Sequence, residues 1–287
     1  MKKLIEFSKI VTHPGGSHFD ERMAVALALA ANDVVVPVFR REPTQEEIDD
    51  DKTLVLDIGG TVSDWNNTFD HHQLPREHAP ECAFSLVAEA IGMKEELEAF
   101  FGWFSTWRQI DSKGPFQWAK EHGIDWSVAS TLLNPDTDIV SEWWEEASGE
   151  VPVDEALVKR LKAKGEKILA AAAKFKTFCQ EVKDKGLRMD IDGIPVYDLR
   201  SFDANESIDN GDKLARVDGV KGGVLVSKDN RGPGDSYFRR EDDPHVNFAK
   251  CQGKEYCSFA HVGGFILKTK EAETDIQSVI RDAEVEV

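Results

Sequence analysis

The feature that most constrains the fold is the order of apolar segments in the first part of the chain. Leu4–Val11 is apolar and runs into a His-Pro-Gly-Gly loop, and residues 20–31 are rich in Ala and Leu, as in a buried helix. Val34–Phe39 and Thr53–Ile58 are short segments rich in apolar and β-branched residues, and the second stops at a Gly-Gly pair. Strand, helix, strand, strand in this order predicts an α/β fold with a mainly parallel sheet and helices on its faces.

A long helix and a change of pattern mark the second part. Asp154–Lys185 is rich in Lys and Ala and has helical periodicity. Beyond it, turn signals separate short predicted strands at Ile194–Leu199, Gly223–Val226, Tyr237–Arg239 and Ser258–Leu267, before a closing helix at Glu271–Ala283. We therefore predict a domain over residues 1–150, a connector helix over 151–186, and a smaller C-terminal α+β domain over 187–287.

The composition excludes several classes of protein. Of 287 residues, 41% are hydrophobic, which excludes global disorder. The formal charge of −18, from 35 Lys+Arg and 53 Asp+Glu, argues against a broad basic footprint for duplex nucleic acid or anionic membranes. No apolar run is long enough to span a bilayer and the first residues lack an export-type apolar segment, so we expect a cytoplasmic protein.

The four cysteines do not have the spacing of a disulfide framework or a zinc ribbon. A zinc site could still be built, by residue type only, from His245, Cys251, Cys257 and His261.

Two aromatic segments have alternative interpretations. The helical pattern Phe84–Ile110, interrupted near Gly92, carries an aromatic cluster that could stack on bases, although its amphipathic spacing favours core packing. The cluster comprises Phe100, Phe101, Trp103, Phe104 and Trp107. The segment 114–151 either shapes substrate access or packs, and it contains Trp118, Trp126, Trp143 and Trp144.

Side chains that could bind a metal follow the predicted strands of the first half. The loop after the first strand carries His13, His18 and Asp20. Open α/β sheets bind ligands at the carboxyl ends of their strands, where this loop is expected. The alternative is that both histidines are ordinary loop residues and that Asp20 is only the N-cap of the next helix.

Three further positions show the same pattern. Asp57 ends an otherwise apolar strand, where a buried acid is costly unless it is paired or bound to a cation. Asp70, His71 and His72 follow a turn-like segment, and adjacent side chains on an extended segment point in opposite directions. One of these histidines is therefore expected to bind metal and the other to face substrate. Asp111 closes the aromatic helix, where a solvated acid is equally common.

Together these segments resemble the DHH phosphoesterase superfamily, most closely its melanocyte-proliferating-gene-type (Myg-type) branch. The resemblance rests on four ordered blocks: THPGGSHFDE at 12–21, VLDIGG at 55–60, FDHHQ at 69–73 and FAHVGGF at 259–265. It implies an N-terminal DHH-type metal-binding catalytic domain and a C-terminal substrate-binding domain.

The resemblance also implies a centre of two Mn²⁺ ions, for which Mg²⁺, Co²⁺ or Zn²⁺ could substitute. It places His13, His18 and Asp57 on one ion, and Asp20, Asp57, His71 and Asp111 on the other. Asp70 is implied to orient a neighbouring side chain, and His72 to contact a phosphate oxygen. Around Asp111 the chain departs from the family pattern, which has a pair of acids before Asn-Gly where this sequence has Asp-Ser-Lys-Gly.

In the C-terminal domain, the resemblance assigns the substrate-facing loop to His261, Gly263 and Gly264, with His261 joining Asp70 and His72 as a catalytic candidate. Glycine allows backbone amides to approach a phosphate closely. The alternative is a glycine-rich strand end with a packed histidine. Arg239 and Arg240 are candidates for a phosphate clamp by residue type only.

The resemblance implies a metal-dependent phosphoric ester hydrolase of the phosphodiesterase or exonuclease type, in which two metals activate a hydroxide. The negative charge favours nucleotides and short or single-stranded nucleic acid as substrates over long duplexes. One alternative is a hydrolase of pyrophosphate or another phosphoanhydride. The other, from a different class, is a non-catalytic protein that binds metal and nucleotide.

Overall fold

A computed structural model describes residues 4, 6–16, 18–32, 34–63, 67–75, 81–133 and 144–285, without the side chains of 130–133. The chain divides into two compact units, Met1–Ala173 and Lys174–Val287. The division falls within one long helix, Glu155–Asp184. The predicted domain boundaries at 150 and 186 flank this helix and stay a prediction.

The first unit contains a five-stranded sheet in the order β2-β1-β3-β5-β4. The strands are β1 (Lys9–Thr12), β2 (Val38–Arg40), β3 (Thr53–Leu56), β4 (Val62–Ser63) and β5 (Thr68–Phe69). β1 is parallel to β2 and to β3, β3 is parallel to β5, and β4 is antiparallel to β5. The predicted α/β fold with a mainly parallel sheet is confirmed.

The predicted strand at Val34–Phe39 is wrong over its first four residues. β2 begins only at Val38, directly after Pro37. Proline has no backbone N–H to donate to a ladder, so it is typical of a strand's first residue or of the position before it. The Pro37 carbonyl still accepts a hydrogen bond from the Ile10 amide at 3.0 Å, which brings the chain alongside β1.

Helices accompany this sheet, and the last of them continues into the second unit. They are α1 (Phe19–Asn32), α2 (Gln45–Asp49), α3 (Ala83–Ala90), α4 (Lys94–Phe100), α5 (Gly102–Lys113), α6 (Pro115–Glu121), α7 (Trp126–Leu133) and α8 (Glu155–Asp184). The predicted helical segment 84–110 is thus three helices, and the first break lies at Gly92, which has φ 69°. α1 is buried along almost its whole length, as its Ala- and Leu-rich sequence predicts.

Four residues of the aromatic cluster, all except Phe100, belong to the core of the first unit or pack against it. Phe104 is fully buried, and Trp103 and Trp107 pack against the core. Trp107 stacks on Phe19 of α1, with ring centroids 4.8 Å apart. The core interpretation is confirmed for Phe101, Trp103, Phe104 and Trp107, and the rings of α5 fix that helix against α1.

The second unit has a six-stranded sheet in the order β10-β11-β9-β8-β7-β6 and its own hydrophobic core. The strands are β6 (Arg188–Ile191), β7 (Ile194–Asp198), β8 (Val224–Lys228), β9 (Asp235–Arg239), β10 (Cys257–Ala260) and β11 (Ile266–Thr269). The α-helices α9 (Ser207–Val217) and α10 (Ile276–Ala283) accompany them, together with the end of α8 and a short 3-10 helix, Phe248–Cys251. The predicted single strand Ser258–Leu267 is wrong, because its Gly-Gly pair forms the turn of a hairpin between β10 and β11.

None of the described helices combines the length and the apolarity needed to cross a bilayer. All four cysteines are free thiols, as the absence of a disulfide spacing predicts.

Candidate metal centre

The candidate site lies at the carboxyl ends of β1, β3 and β5. These neighbouring strands are parallel and in register: Thr12 pairs with Leu56, and Leu56 pairs with Phe69. The residues that follow them therefore emerge at the same edge of the sheet: His13, Asp57 and Asp70. This is the edge at which open α/β sheets bind their ligands.

Asp57 is the central residue of the site. Its side chain is 2% exposed, and its backbone has φ 59°, in the left-handed region that Asp and Asn tolerate better than most residues. Asp57 Oδ2 lies 3.4 Å from His13 Nε2, and Oδ1 lies 3.2 Å from His71 Nε2. One carboxylate thus faces two imidazoles from opposite loops, which is the arrangement that a bridging ligand requires.

The first histidine loop presents ring nitrogens towards Asp57. His13 Nδ1 lies 2.8 Å from the Pro14 carbonyl oxygen. This contact assigns the hydrogen to Nδ1 in the neutral ring and leaves the lone pair on Nε2. The exposed ring of His18 lies next to it, with centroids 4.8 Å apart.

His71 gathers acids from three different elements. Its Nε2 is 3.0 Å from Asp111 Oδ2, 3.2 Å from Asp57 Oδ1 and 3.7 Å from Asp20 Oδ2. Asp20 lies in the first turn of α1, and Asp111 lies in the last turn of α5. Packing of α5 on α1 therefore brings Asp111 to the sheet edge.

Asp20 also has a structural role. Its two carboxylate oxygens accept hydrogen bonds from the backbone amides of Ala83 and Phe84, each at 2.7 Å. These amides start α3, so Asp20 caps that helix from a distance rather than only starting its own. The cap fixes the carboxylate, which is 1% exposed, beside His71.

Asp70 orients His72 through both its backbone and its ring. Asp70 Oδ1 accepts from the His72 amide at 3.0 Å and lies 2.7 Å from His72 Nδ1, while Oδ2 accepts from the Gly60 amide at 2.6 Å. The His72 side chain is 61% exposed, whereas that of His71 is 8% exposed. The two adjacent histidines therefore differ in exposure, but their ring centroids lie 4.5 Å apart. The predicted opposite orientation of the two side chains is wrong, because His72 lies in a turn and not on an extended strand.

The charges of the cluster shift its acids and bases. Burial lowers the pKa of His13, but the nearby carboxylates of Asp57 and Glu21 raise it to about 9. Burial likewise opposes protonation of His71, yet Asp111 and Asp57 raise its pKa to about 10. Burial raises the pKa of Asp57, but the two imidazoles lower it by more, so that the pKa lies below its ordinary range. A bound cation would replace these protons, so metal binding releases them.

The residues fit a divalent cation. His13 Nε2 and Asp57 Oδ1 are buried atoms without a hydrogen-bond partner of acceptable geometry. Ligand-type atoms lie within 4.8 Å of one another in three overlapping sets: His13, His18 and Asp57; Asp57, His71 and His72; and Asp20, His71 and Asp111. Mixed imidazole and carboxylate ligands suit a transition metal such as Mn²⁺. The structure thus brings together all six predicted ligands, and their ligand roles stay a prediction.

Sequence reasoning missed a group of buried residues behind this centre. Glu21 and Arg40 form an ion pair with both side chains 0% exposed, and the Trp144 indole donates to Glu21. Glu21 adjoins a predicted ligand, but no local pattern identifies Arg40 or Trp144 as its partners. Of the Trp-rich segment, Trp143 lies outside the described residues.

Arg239 and Arg240 are engaged within the second unit. Arg240 is 4% exposed and donates to Asp212 Oδ1 at 2.9 Å and to the carbonyls of Val220 and Gly222 at 3.0 and 2.7 Å. Arg239 donates to the Val246 carbonyl at 3.0 Å and to Asp242 at 2.8 Å. A phosphate would have to compete with these acceptors, so the clamp role stays a prediction that the geometry does not favour.

The turn between β10 and β11 uses its own amides. The Gly263 amide donates to His261 Nδ1 at 3.0 Å, and the Gly264 amide donates to the His261 carbonyl at 2.8 Å. A Cβ at Gly264 would lie 2.1 Å from Asn247 Oδ1, so glycine is needed there for packing. With Nδ1 accepting, the His261 ring carries its hydrogen on Nε2, and its substrate role stays a prediction. Among the described residues, the sets that could hold a metal lie in the first unit and do not include the zinc candidate of His245, Cys251, Cys257 and His261.

The fold and the side-chain cluster define an α/β protein with a candidate centre for divalent cations. Residues 9–85 match the model of the family MYG1_exonuc, described as an uncharacterised protein family (UPF0160). The resemblance to the Myg-type family is thereby confirmed over the segment that carries β1 to β5 and all predicted ligands except Asp111.

The comparisons with curated proteins and with solved structures add no further family assignment. No curated protein sequence matches the chain. Among solved structures, the chain is similar to a pGpG-specific phosphodiesterase, PggH, from Vibrio cholrae, with 12% identity over 96% of each chain and a TM-score of 0.31. A likeness at this level says nothing about the activity of the present chain.

Proposed function

We propose that this protein is a metal-dependent phosphoric ester hydrolase that cleaves phosphodiester bonds in nucleotides or in short or single-stranded nucleic acid. The observation that carries the proposal is the position of Asp57, between the Nε2 atoms of His13 and His71 at the carboxyl edge of a parallel sheet. The name of the matched family, which contains an exonuclease label, supports the same class of reaction.

The residues divide into those that hold metal and those that act on substrate. His13, His18 and Asp57 would hold one divalent cation, and Asp20, Asp57, His71 and Asp111 the other. When bound, the two ions supply Lewis-acid polarisation of the phosphoryl group and a nucleophile at neutral pH. We propose Mn²⁺ as the ion, from the mixed ligand set.

His72 is the proposed substrate contact. Asp70 accepts from its Nδ1 side and so directs Nε2 outwards, where an exposed ring can donate a hydrogen bond to a phosphate oxygen. Asp70 raises the pKa of His72, which favours the donor form of the ring. In this account Asp70 acts by orienting His72 and makes no contact with substrate.

The adjacent histidines provide a matched test. His71→Asn is expected to lose one bound metal ion together with hydrolysis, because a ligand is removed. His72→Asn is expected to bind metal as wild type does and to lower kcat about 100-fold, because a donor to the phosphoryl group is removed. Metal stoichiometry and turnover of a dinucleotide, measured on the same preparations, separate these results.

The opposite pattern would contradict the assignment. If His72→Asn lost a metal ion and His71→Asn kept both, the two residues would have exchanged roles. Normal turnover by both variants would show that the proposed site takes no part in hydrolysis.

A further inference from the structure

A buried ion pair lies beneath the loop that joins the first two proposed ligands. Arg40 is the last residue of β2, and Glu21 lies in the first turn of α1. Arg40 Nη2 is 3.0 Å from Glu21 Oε1, and both side chains are 0% exposed. Burying two full charges is costly. The groups that this pair contacts therefore indicate which part of the structure it positions.

Arg40 gathers the middle of the loop. Its Nη2 donates to the carbonyls of Gly15 and Gly16, at 3.0 and 3.3 Å. Its Nη1 donates to the Trp144 carbonyl at 2.7 Å, which ties a distant part of the first unit to the same guanidinium. The planar guanidinium thus makes several directed contacts that a lysine could not reproduce.

Glu21 holds both ends of the loop. Its Oε2 accepts from the Thr12 hydroxyl at 3.3 Å and lies 3.2 Å from His13 Nε2. Its Oε1 accepts from the His18 amide at 3.2 Å and from the Trp144 indole at 2.7 Å. Contacts with the ion pair therefore reach the start, the middle and the end of the loop.

The glycines of this loop give its backbone conformational freedom. The loop contains two adjacent glycines, and Gly15 has φ 85°, so its backbone has more conformations to lose than most. Any freedom of the loop in the metal-free protein would have to be lost on binding, at the expense of affinity. A loop already held in one conformation avoids that loss.

We propose that Glu21 and Arg40 are positioning residues that hold the His13–His18 loop in its metal-binding conformation, with Trp144 as a third member of the group. The inference rests on the proposed metal centre, but it concerns metal affinity and not the chemical step. It also gives one residue of the Trp-rich segment a role: Trp144 is fully buried against Glu21 and Arg40, whereas Trp126 is 40% exposed.

The test is a titration of Mn²⁺ into wild type and three variants, followed by the electron paramagnetic resonance signal of free and bound Mn²⁺. Glu21→Gln keeps the shape of the side chain and removes its charge, and we expect Mn²⁺ affinity to fall about 10- to 100-fold. Trp144→Phe keeps an aromatic ring and removes the N–H donor, and we expect a smaller loss in the same direction.

The matched control is Glu47→Gln. Glu47 is another buried acid of the first unit, paired with Lys9 and Arg41 and with the Thr44 cap of α2. Its loss is expected to lower stability without changing Mn²⁺ affinity. Urea unfolding in the presence of a chelator measures the stability of every variant, and Trp144→Phe carries the test if Glu21→Gln does not fold.

Two results would overturn the inference. Either Glu21→Gln and Trp144→Phe bind Mn²⁺ as tightly as wild type, or Glu47→Gln loses as much affinity as Glu21→Gln does. Failure of the proposed function has a different signature, because wild type would then bind Mn²⁺ and hydrolyse no phosphodiester, while the affinity differences among the variants would persist.

Discussion

Asp57→Asn is expected to lose at least one bound divalent cation and to lower phosphodiester hydrolysis by more than about 100-fold, beyond what loss of an outer-shell partner costs. The carboxylate faces His13 on one side and His71 on the other, so one substitution removes the anion shared by both halves of the site. Asparagine tolerates the left-handed φ of 59° at this position, whereas alanine would add backbone strain. The substitution to asparagine therefore tests the loss of the carboxylate charge without added backbone strain.

Asp192→Asn is the matched control for this experiment. Asp192 also has a left-handed backbone, with φ 54°, but its half-exposed side chain pairs with Arg281 in the second unit. Its metal stoichiometry and turnover are expected to equal those of wild type. An Asp57→Asn protein that binds two Mn²⁺ ions and hydrolyses a dinucleotide at the wild-type rate would contradict the bridging role.

Gly165→Ala is expected to lower the free energy of unfolding by about 3 kcal/mol, at the upper end of overpacking costs. Gly165 lies in α8, where alanine would ordinarily stabilise a helix by about 1 kcal/mol. Here a Cβ would lie 2.0 Å from the Ala26 carbonyl oxygen and 2.6 Å from its carbon. These are backbone atoms of the buried α1, so the clash is relieved only by separating the two helices.

Gly102→Ala is the control for that prediction. Gly102 is the first residue of α5, and a Cβ there would meet no atom within 4 Å. We expect a neutral or slightly stabilising effect in urea unfolding. Equal stability of the two alanine variants would contradict the close approach of α8 to α1.

The sequence predicts the part of the site that depends on strand ends. His13 and Asp57 each follow a predicted apolar strand segment, and parallel strands in register must present such residues at one edge. No structure is needed for that argument, because it uses only apolar patterning and the rule for parallel sheets. Asp70 follows the two-residue strand β5, where the sequence shows only a turn-like segment. Strand boundaries are less predictable, as the late start of β2 at Val38 shows.

Contacts between distant elements are beyond local patterns. Asp111 could be assigned only by family resemblance, since its position beside His71 depends on the stacking of Trp107 on Phe19. The cap of α3 by Asp20 is likewise not visible in the sequence, because it joins residues more than sixty positions apart. The Glu21–Arg40 pair is invisible in sequence because its members lie in different elements with no shared periodicity.

Residue type alone was a poor guide in the second unit. Arg239 and Arg240 have the chemistry of a phosphate clamp, yet the described structure gives their guanidinium groups carboxylate and carbonyl partners. An arginine that ends a strand next to acidic turns finds acceptors nearby, and a sequence read in isolation does not show this competition.

The measurement that tests the central claim most directly is turnover by the wild-type protein after removal of metal with a chelator, with and without added Mn²⁺. The substrates are a dinucleotide, a short single-stranded oligonucleotide and pyrophosphate. We predict no hydrolysis without metal, and hydrolysis of at least one of the two phosphodiester substrates when Mn²⁺ is restored. Hydrolysis confined to pyrophosphate, or bound Mn²⁺ with no turnover of either phosphodiester, would contradict the account.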